Sequence, residues 1–293
     1  MFRSLVTLLL LASLNSAPLT AVAPDAFDVT DLLKVESIPV KNNMAIEPVI
    51  EAKAALLMDL DTGMVLYKKN SRQRLPIASL TKIMTAVLIL DSHSMDEVVK
   101  VEDNFNSAEE LGVRMWLQQY EKITVENLLI GLLVPSAGDA AMALAQYHSG
   151  SEEEFIKEMN EKAKKLNLKN TNFTNPIGLD DDSHYSSAYD LAVLTKYALR
   201  NKDFRRIVQI PSTTVTSSDG RIQHKLEGTN YLLNSYLDIR GVKTGTTDAA
   251  GESLINLARS TDGKEVIVVL LNSPERFQES KRIIDWAFRN FTW

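Results

Sequence analysis

Apolar strand-forming runs stand near both ends of this sequence, with a long stretch of helical pattern between them. Near the start, EAKAALLMDLDTGMVLYKK (51–69) reads as two strands joined around Asp61-Thr62-Gly63. Near the end, GESLINLARS (251–260) and KEVIVVLLN (264–272) are strand candidates, and ERFQESKRIIDWAFRN (275–290) closes the chain as a helix. A lone hairpin is marginal in water, so the strands of both ends are expected to share one sheet. That predicts an antiparallel sheet flanked by helices, with a helical lobe inserted: an α/β fold of the α+β type.

The middle supplies the lobe. Residues 124–148, TVENLLIGLLVPSAGDAAMALAQYH, form two helical stretches broken at VPSAG, with Thr124 and Asn127 a weak cap. SEEEFIKEMNEKAKKL (151–166) starts on a serine, carries glutamates early and lysines late, and so matches the helix dipole. SSAYDLAVLTKYALR (186–200) is a further helix, and from Thr213 short strands and turns lead to GVKTGTT. No internal repeat appears.

The sequence contains no cysteine, which excludes disulfides, thiolate metal sites and thiol nucleophiles. Its formal charge of -6 and the lack of a basic stripe with interleaved aromatics argue against a nucleic-acid partner. His93, His148, His184 and His224 are scattered with no His-x-x-x-His pair, so no metal site is expected and no cofactor is implied. The first residues, MFRSLVTLLLLASLNSAPLTA, join one arginine to a short apolar run and small residues. Residues 1–21 therefore read as a signal peptide or an uncleaved amino-terminal anchor, followed by a leader over 22–50 and a catalytic domain over 51–293.

The chemistry starts in LPIASLTKIMTAVLIL (75–90). Pro76 closes an extended approach, and from Ile77 the run suits a helix buried on nearly all sides. Ser79 and Lys82, three apart, share a helix face, and a buried lysine calls for a partner. Alone this pair is a weak signal. Ser136, in the break at VPSAG, and Lys243-Thr244-Gly245, before a predicted strand, complete a three-part pattern associated with serine acyl-transfer enzymes.

With these residues in view the sequence resembles the low-molecular-mass penicillin-binding proteins that act as D-alanyl-D-alanine carboxypeptidases. LPIASLTKIMTA, LLIGLLVPSAGDAA, FTNPIGLDDDSHYSSAYDLAVL and GVKTGTTDAAGESL carry the resemblance, which runs from about Glu51 to the end. It implies the penicillin-binding protein/serine β-lactamase-like transpeptidase fold and acyl transfer through a covalent intermediate. By resemblance Ser79 is the nucleophile, Lys82 its base, and Ser136 a proton shuttle. The backbone N–H groups of Ser79 and Thr246 form the oxyanion hole, and Lys243, Thr244, Gly245 and Arg276 bind the substrate and its carboxylate. His184 matches a family histidine near the cleft rim, behind the reacting groups. The implied partners are peptidoglycan stem peptides ending in D-Ala-D-Ala, with β-lactams as covalent inhibitors, outside the cytoplasmic membrane.

Two departures stand out. The family usually has asparagine third in the middle motif, where this sequence reads Ser136-Ala137-Gly138. Loss of that amide is expected to slow turnover, and Gly138→Asn to raise kcat/KM. Many relatives also continue into a β-rich domain and an amphipathic anchor, whereas this sequence ends RNFTW, so membrane attachment is expected only at the amino terminus. The alternatives left open are a β-lactamase-like hydrolase and a turnover-impaired peptidoglycan-binding relative.

Overall fold

The computed structural model describes residues 38–105 and 111–293. The expected signal or anchor, 1–21, and residues 22–37 of the expected leader lie outside the described residues.

In chain order the elements are β1 (Val40–Lys41), β2 (Ala54–Asp59), β3 (Val65–Lys69), α1 (Lys82–Ser92), β4 (Val98–Lys100) and β5 (Lys122–Thr124). There follow α2 (Val125–Leu133), α3 (Gly138–Ser149), α4 (Glu152–Lys165), α5 (Ala188–Ala198) and α6 (Lys202–Ile207). The chain then runs through β6 (Ser212–Thr216), β7 (Gln223–Glu227), β8 (Asp238–Thr247), β9 (Gly251–Arg259), β10 (Glu265–Leu271), α7 (Arg276–Asn290) and β11 (Phe291–Thr292). The main sheet has the order β3-β2-β10-β9-β8, every pair antiparallel. The two ends of the chain meet where β2 pairs β10, Ala54 opposite Leu271 and Asp59 opposite Val266.

All six residues of β2 are buried, and β10 is buried over nearly its whole length. Successive side chains point to opposite faces, so one strand feeds two cores. Leu56 and Met58 with Ile267 and Val269 face the helical lobe. Leu57 with Val266, Val268 and Leu270 face α7 through Ile283, Ile284 and Ala287. At the hairpin turn, the buried Asp59 accepts from Thr62 N and Oγ1 at 2.9 and 2.6 Å and from Trp293 Nε1 at 2.7 Å. Gly63, at φ 75°, supplies the left-handed residue the turn needs.

In the lobe the caps read from sequence are made: Thr124 Oγ1 accepts from Asn127 N, and Ser151 Oγ from Glu154 N. Residues 38–52 lie along α7 and are held largely through backbone groups. Trp286 Nε1 donates to Ile46 O at 2.7 Å, Arg282 Nη1 to Val49 O at 3.1 Å, and Lys69 Nζ to Ile50 O at 2.6 Å. The buried Glu279 carboxylate accepts from Ala52 N, Glu51 N and Ser273 Oγ, and β1 pairs β11.

Candidate active site

Ser79 lies in a 3-10 turn, Ala78–Thr81, that runs directly into α1. The helix expected from Ile77 thus begins as the tighter form, and its first residue, Ala78, sits at φ 47°, outside the right-handed region. The change matters chemically. With three residues per turn, positions i and i+3 eclipse, which aligns Ser79 with Lys82. Lys82 Nζ is 3.0 Å from Ser79 Oγ and donates to Ile177 O at 2.8 Å.

Lys82 is 1% exposed, and burial lowers its ammonium to a pKa of about 7, against the opposing pull of the Asp139 carboxylate. At neutral pH the amine is therefore partly free base. A free amine can still donate to Ile177 O while its lone pair is available to the Ser79 hydroxyl proton.

Two glycines frame Ser79. Gly178 has φ 95°, and a Cβ there would lie 2.0 Å from Ala78 O and 2.9 Å from Ser79 N. Asn175 Oδ1 builds that turn by accepting from the N–H groups of Ile177, Gly178 and Leu179. On the other side Gly245 lets β8 close in, since its Cβ would sit 3.1 Å from Ser79 N. Among the described residues strand β8 pairs only with β9, and its other edge faces the Ser79 turn.

That edge carries Lys243, Thr244, Gly245 and Thr246. Lys243, also 1% exposed, donates to Thr244 O at 3.0 Å; burial, then the charges of Lys82 and Arg276, hold its ammonium well below the usual lysine range. Thr244 Oγ1 shares a hydrogen bond of 2.6 Å with Thr229 Oγ1. Arg276, at the start of α7, donates through Nη1 to Gly245 O at 2.9 Å and Thr246 Oγ1 at 2.6 Å, with Glu252 3.6 Å from its Nε.

Ser136 stands in the break between α2 and α3 at φ 75°, and its shielded Oγ has no hydrogen-bond partner among the described residues. A strained backbone with an unsatisfied hydroxyl is costly and is characteristic of working sites. Two residues on, Gly138 N donates to Val113 O at 2.7 Å, and a Cβ at 138 would lie 2.1 Å from Leu111 O. The room for the missing asparagine is thus taken by the 111–117 loop. The steric cost works against the expected gain from Gly138→Asn: a side chain at 138 has to displace that loop.

His184 is buried, away from Ser79 itself. Its Nε2 lies 2.7 Å from Thr81 Oγ1, and its Nδ1 is 3.0 Å from Thr174 N. Burial lowers its pKa to about 4, so it is neutral at pH 7. Asp139, Asn175, Gly178, Thr81 and Thr229 escaped the sequence reading. All but Thr229 lie within the segments that carry the family resemblance, which do not single them out.

The sequence profile of peptidase family S11, D-alanyl-D-alanine carboxypeptidase, matches residues 41–275. The D-alanyl-D-alanine carboxypeptidase DacF of Bacillus subtilis is 38% identical over 247 residues, 82% of this chain and 63% of that protein. The chain thus spans a little under two thirds of that relative's length. Among solved structures, the Streptomyces K15 DD-transpeptidase superposes with a TM-score of 0.78 at 31% identity, covering 83% of this chain and 99% of that one. Penicillin binding protein 6B of Escherichia coli gives 0.77 at 33%, covering 86% and 82%. The expected α/β transpeptidase-like fold, an antiparallel sheet with flanking helices, is the fold these structures share with this chain.

Proposed function

Because the chain belongs to the D-alanyl-D-alanine carboxypeptidase family, peptidase S11, we propose that it is a serine acyl-transfer enzyme acting on peptidoglycan stem peptides that end in D-Ala-D-Ala. The observation that carries this reading is the 3.0 Å contact of Ser79 Oγ with a buried lysine whose pKa lies near 7. A general base is most effective when its pKa is close to the working pH.

In this reading neutral Lys82 takes the hydroxyl proton as Ser79 Oγ attacks the carbonyl between the two D-alanines. The Ser79 and Thr246 N–H groups receive the oxyanion, one from each side of the approach that Gly178 and Gly245 keep open. Collapse breaks the C–N bond. The leaving amine takes a proton delivered through Ser136 from the lysines, and D-alanine departs. Water then attacks the acyl-serine, its proton passing to Lys82; the ester C–O bond breaks, Lys82 returns the proton to Ser79 Oγ, and the shortened peptide is released.

Arg276 and Thr244 are suited to the terminal carboxylate. Two buried lysines beside an arginine disfavour a full set of charges. A bound carboxylate reverses that and favours protonated Lys243. A second fate of the same acyl-enzyme is transfer to an amine rather than to water. It is favoured by a likeness to the Streptomyces DD-transpeptidase that extends over 99% of that chain. The substrate places the enzyme outside the cytoplasmic membrane, which fits the amino-terminal leader; amino-terminal sequencing of the mature protein from cell fractions tests this.

The deciding experiment is intact-protein mass spectrometry after exposure to penicillin. One stable adduct, absent in Ser79→Ala, is expected; no adduct on folded protein refutes acyl transfer. D-alanine release, penicillin hydrolysis and transfer to added glycine on one sample then separate carboxypeptidase, β-lactamase and transpeptidase. An adduct without any turnover identifies a peptidoglycan-binding relative.

A further inference from the structure

A chain of hydrogen bonds runs from the far side of the site to the peptide that precedes the nucleophile. Thr81 Oγ1 donates to Ala78 O at 2.8 Å. A hydroxyl has one proton, so its 2.7 Å contact with His184 requires Nε2–H of the histidine to be the donor. The other ring nitrogen, Nδ1, must then accept, and Thr174 N donates to it at 3.0 Å. Every donor points the same way: Thr174 N–H to His184, His184 to Thr81, Thr81 to the Ala78 carbonyl. Only the neutral Nε2–H form of the histidine completes the sequence. The edge of Phe173 lies against the ring, with centroids 5.8 Å apart, and fixes its plane.

The Ala78 carbonyl and the Ser79 N–H belong to one peptide unit. In a trans peptide these two groups point in opposite directions in a common plane. Whatever fixes the carbonyl therefore fixes the N–H. Ala78 also needs holding, because φ 47° is unfavourable for a residue with a Cβ. Aligned hydrogen bonds polarise one another, so an engaged carbonyl also makes the opposite N–H a better donor.

We propose that His184 and Thr81 are positioning residues that aim the Ser79 N–H into the oxyanion hole. The proposal rests on the acyl-transfer reading above and adds to it the machinery that orients one of the two donors. Neither side chain touches the substrate; both act through the Ala78–Ser79 peptide.

The test compares Thr81→Val, which keeps the shape and removes both hydrogen bonds, with Thr81→Ser, which restores them, and with His184→Phe. For each, stopped-flow measurements with penicillin give the ground-state dissociation constant and the acylation rate constant separately. Binding of a peptidyl boronic acid, whose tetrahedral adduct uses the oxyanion hole, is measured alongside. Removal of an oxyanion donor costs about 10²–10³ in rate, and misdirection costs less, so Thr81→Val and His184→Phe should acylate roughly 10–100 times more slowly. Boronate affinity should fall in step, the ground-state dissociation constant should hold, and Thr81→Ser should recover most of the loss. A residue that only stabilised the fold would lower Tm and the titratable fraction without changing the rate constant of the folded fraction. That result, or wild-type acylation by folded Thr81→Val or His184→Phe, overturns the proposal and leaves the enzyme reading standing. Failure of the wild-type protein to acylate at all overturns both.

Discussion

Replacing Gly138 with asparagine should damage this protein. An added Cβ would stand 2.1 Å from Leu111 O, 3.0 Å from Leu111 C and 3.2 Å from Leu111 Cβ. Carbon contacts in folded proteins settle at roughly 3.5 Å, so the 111–117 loop has to retreat by more than about 1 Å. The loop is not free to do so. Gly138 N donates to Val113 O, the N–H groups of Met115, Trp116 and Leu117 all bond the buried Asp139 carboxylate, and His224 Nδ1 holds Met115 O at 2.7 Å. Overpacking costs about 1–3 kcal/mol, and loss of the Gly138–Val113 hydrogen bond about another 1 kcal/mol. At about 2 °C per kcal/mol for a domain of this size, Tm should fall by roughly 4–8 °C. The shift also moves the entry of α3, next to Ser136, so kcat/KM for a diacyl-D-Ala-D-Ala peptide should drop about tenfold, or 1.4 kcal/mol. Differential scanning calorimetry and steady-state kinetics measure the two effects, with Gly138→Ala as the control that carries the clash without the amide. Gly138→Asn with an unchanged Tm and a higher kcat/KM would refute the reasoning.

The second-order rate constant for penicillin acylation should rise with pH and level off above about 7, because the free base of Lys82 is the competent form. A flat profile from pH 5 to 9 would exclude Lys82 as the base. Lys82→Met should abolish acylation yet raise Tm at pH 7, since a lysine depressed from 10.5 to about 7 costs the folded state at most about 5 kcal/mol. Between these values the unfolded chain binds the extra proton, so wild-type stability should climb from pH 7 to 10; Lys82→Met should climb less, and equal slopes would count against the shift. Gly178→Ala puts a methyl 2.0 Å from Ala78 O at φ 95°, and should lower Tm and acylation rate together; wild-type acylation would refute its part in shaping the nucleophile turn.

Those predictions turn on different kinds of residue, and the difference explains what could be read from the sequence. The β2–β3 hairpin was legible because two apolar runs and Asp61-Thr62-Gly63 are local signals, and α4 because Ser151 and its charge order are local too. The Ser79–Lys82 pair was legible for the same reason: three residues separate two side chains whose chemistry only makes sense together. Residues 38–50 gave no periodic signal, since Ile46, Val49 and Ile50 are held by their carbonyls and a carbonyl is the same in every residue. The support of the Ser79 turn is hidden in a similar way. Asn175 acts on three N–H groups, Thr81 on a carbonyl, and Gly178 by lacking a Cβ. Gly138 is the sharpest case, because its identity is plain in the motif and the volume around it is not. Judged against a family pattern, glycine is a missing amide; judged against Leu111 O, twenty-seven positions earlier in the chain, it is the residue that lets the loop and α3 meet. A motif position therefore carries two constraints, the chemistry it offers the substrate and the volume its neighbours leave. Only the first is written in the motif itself.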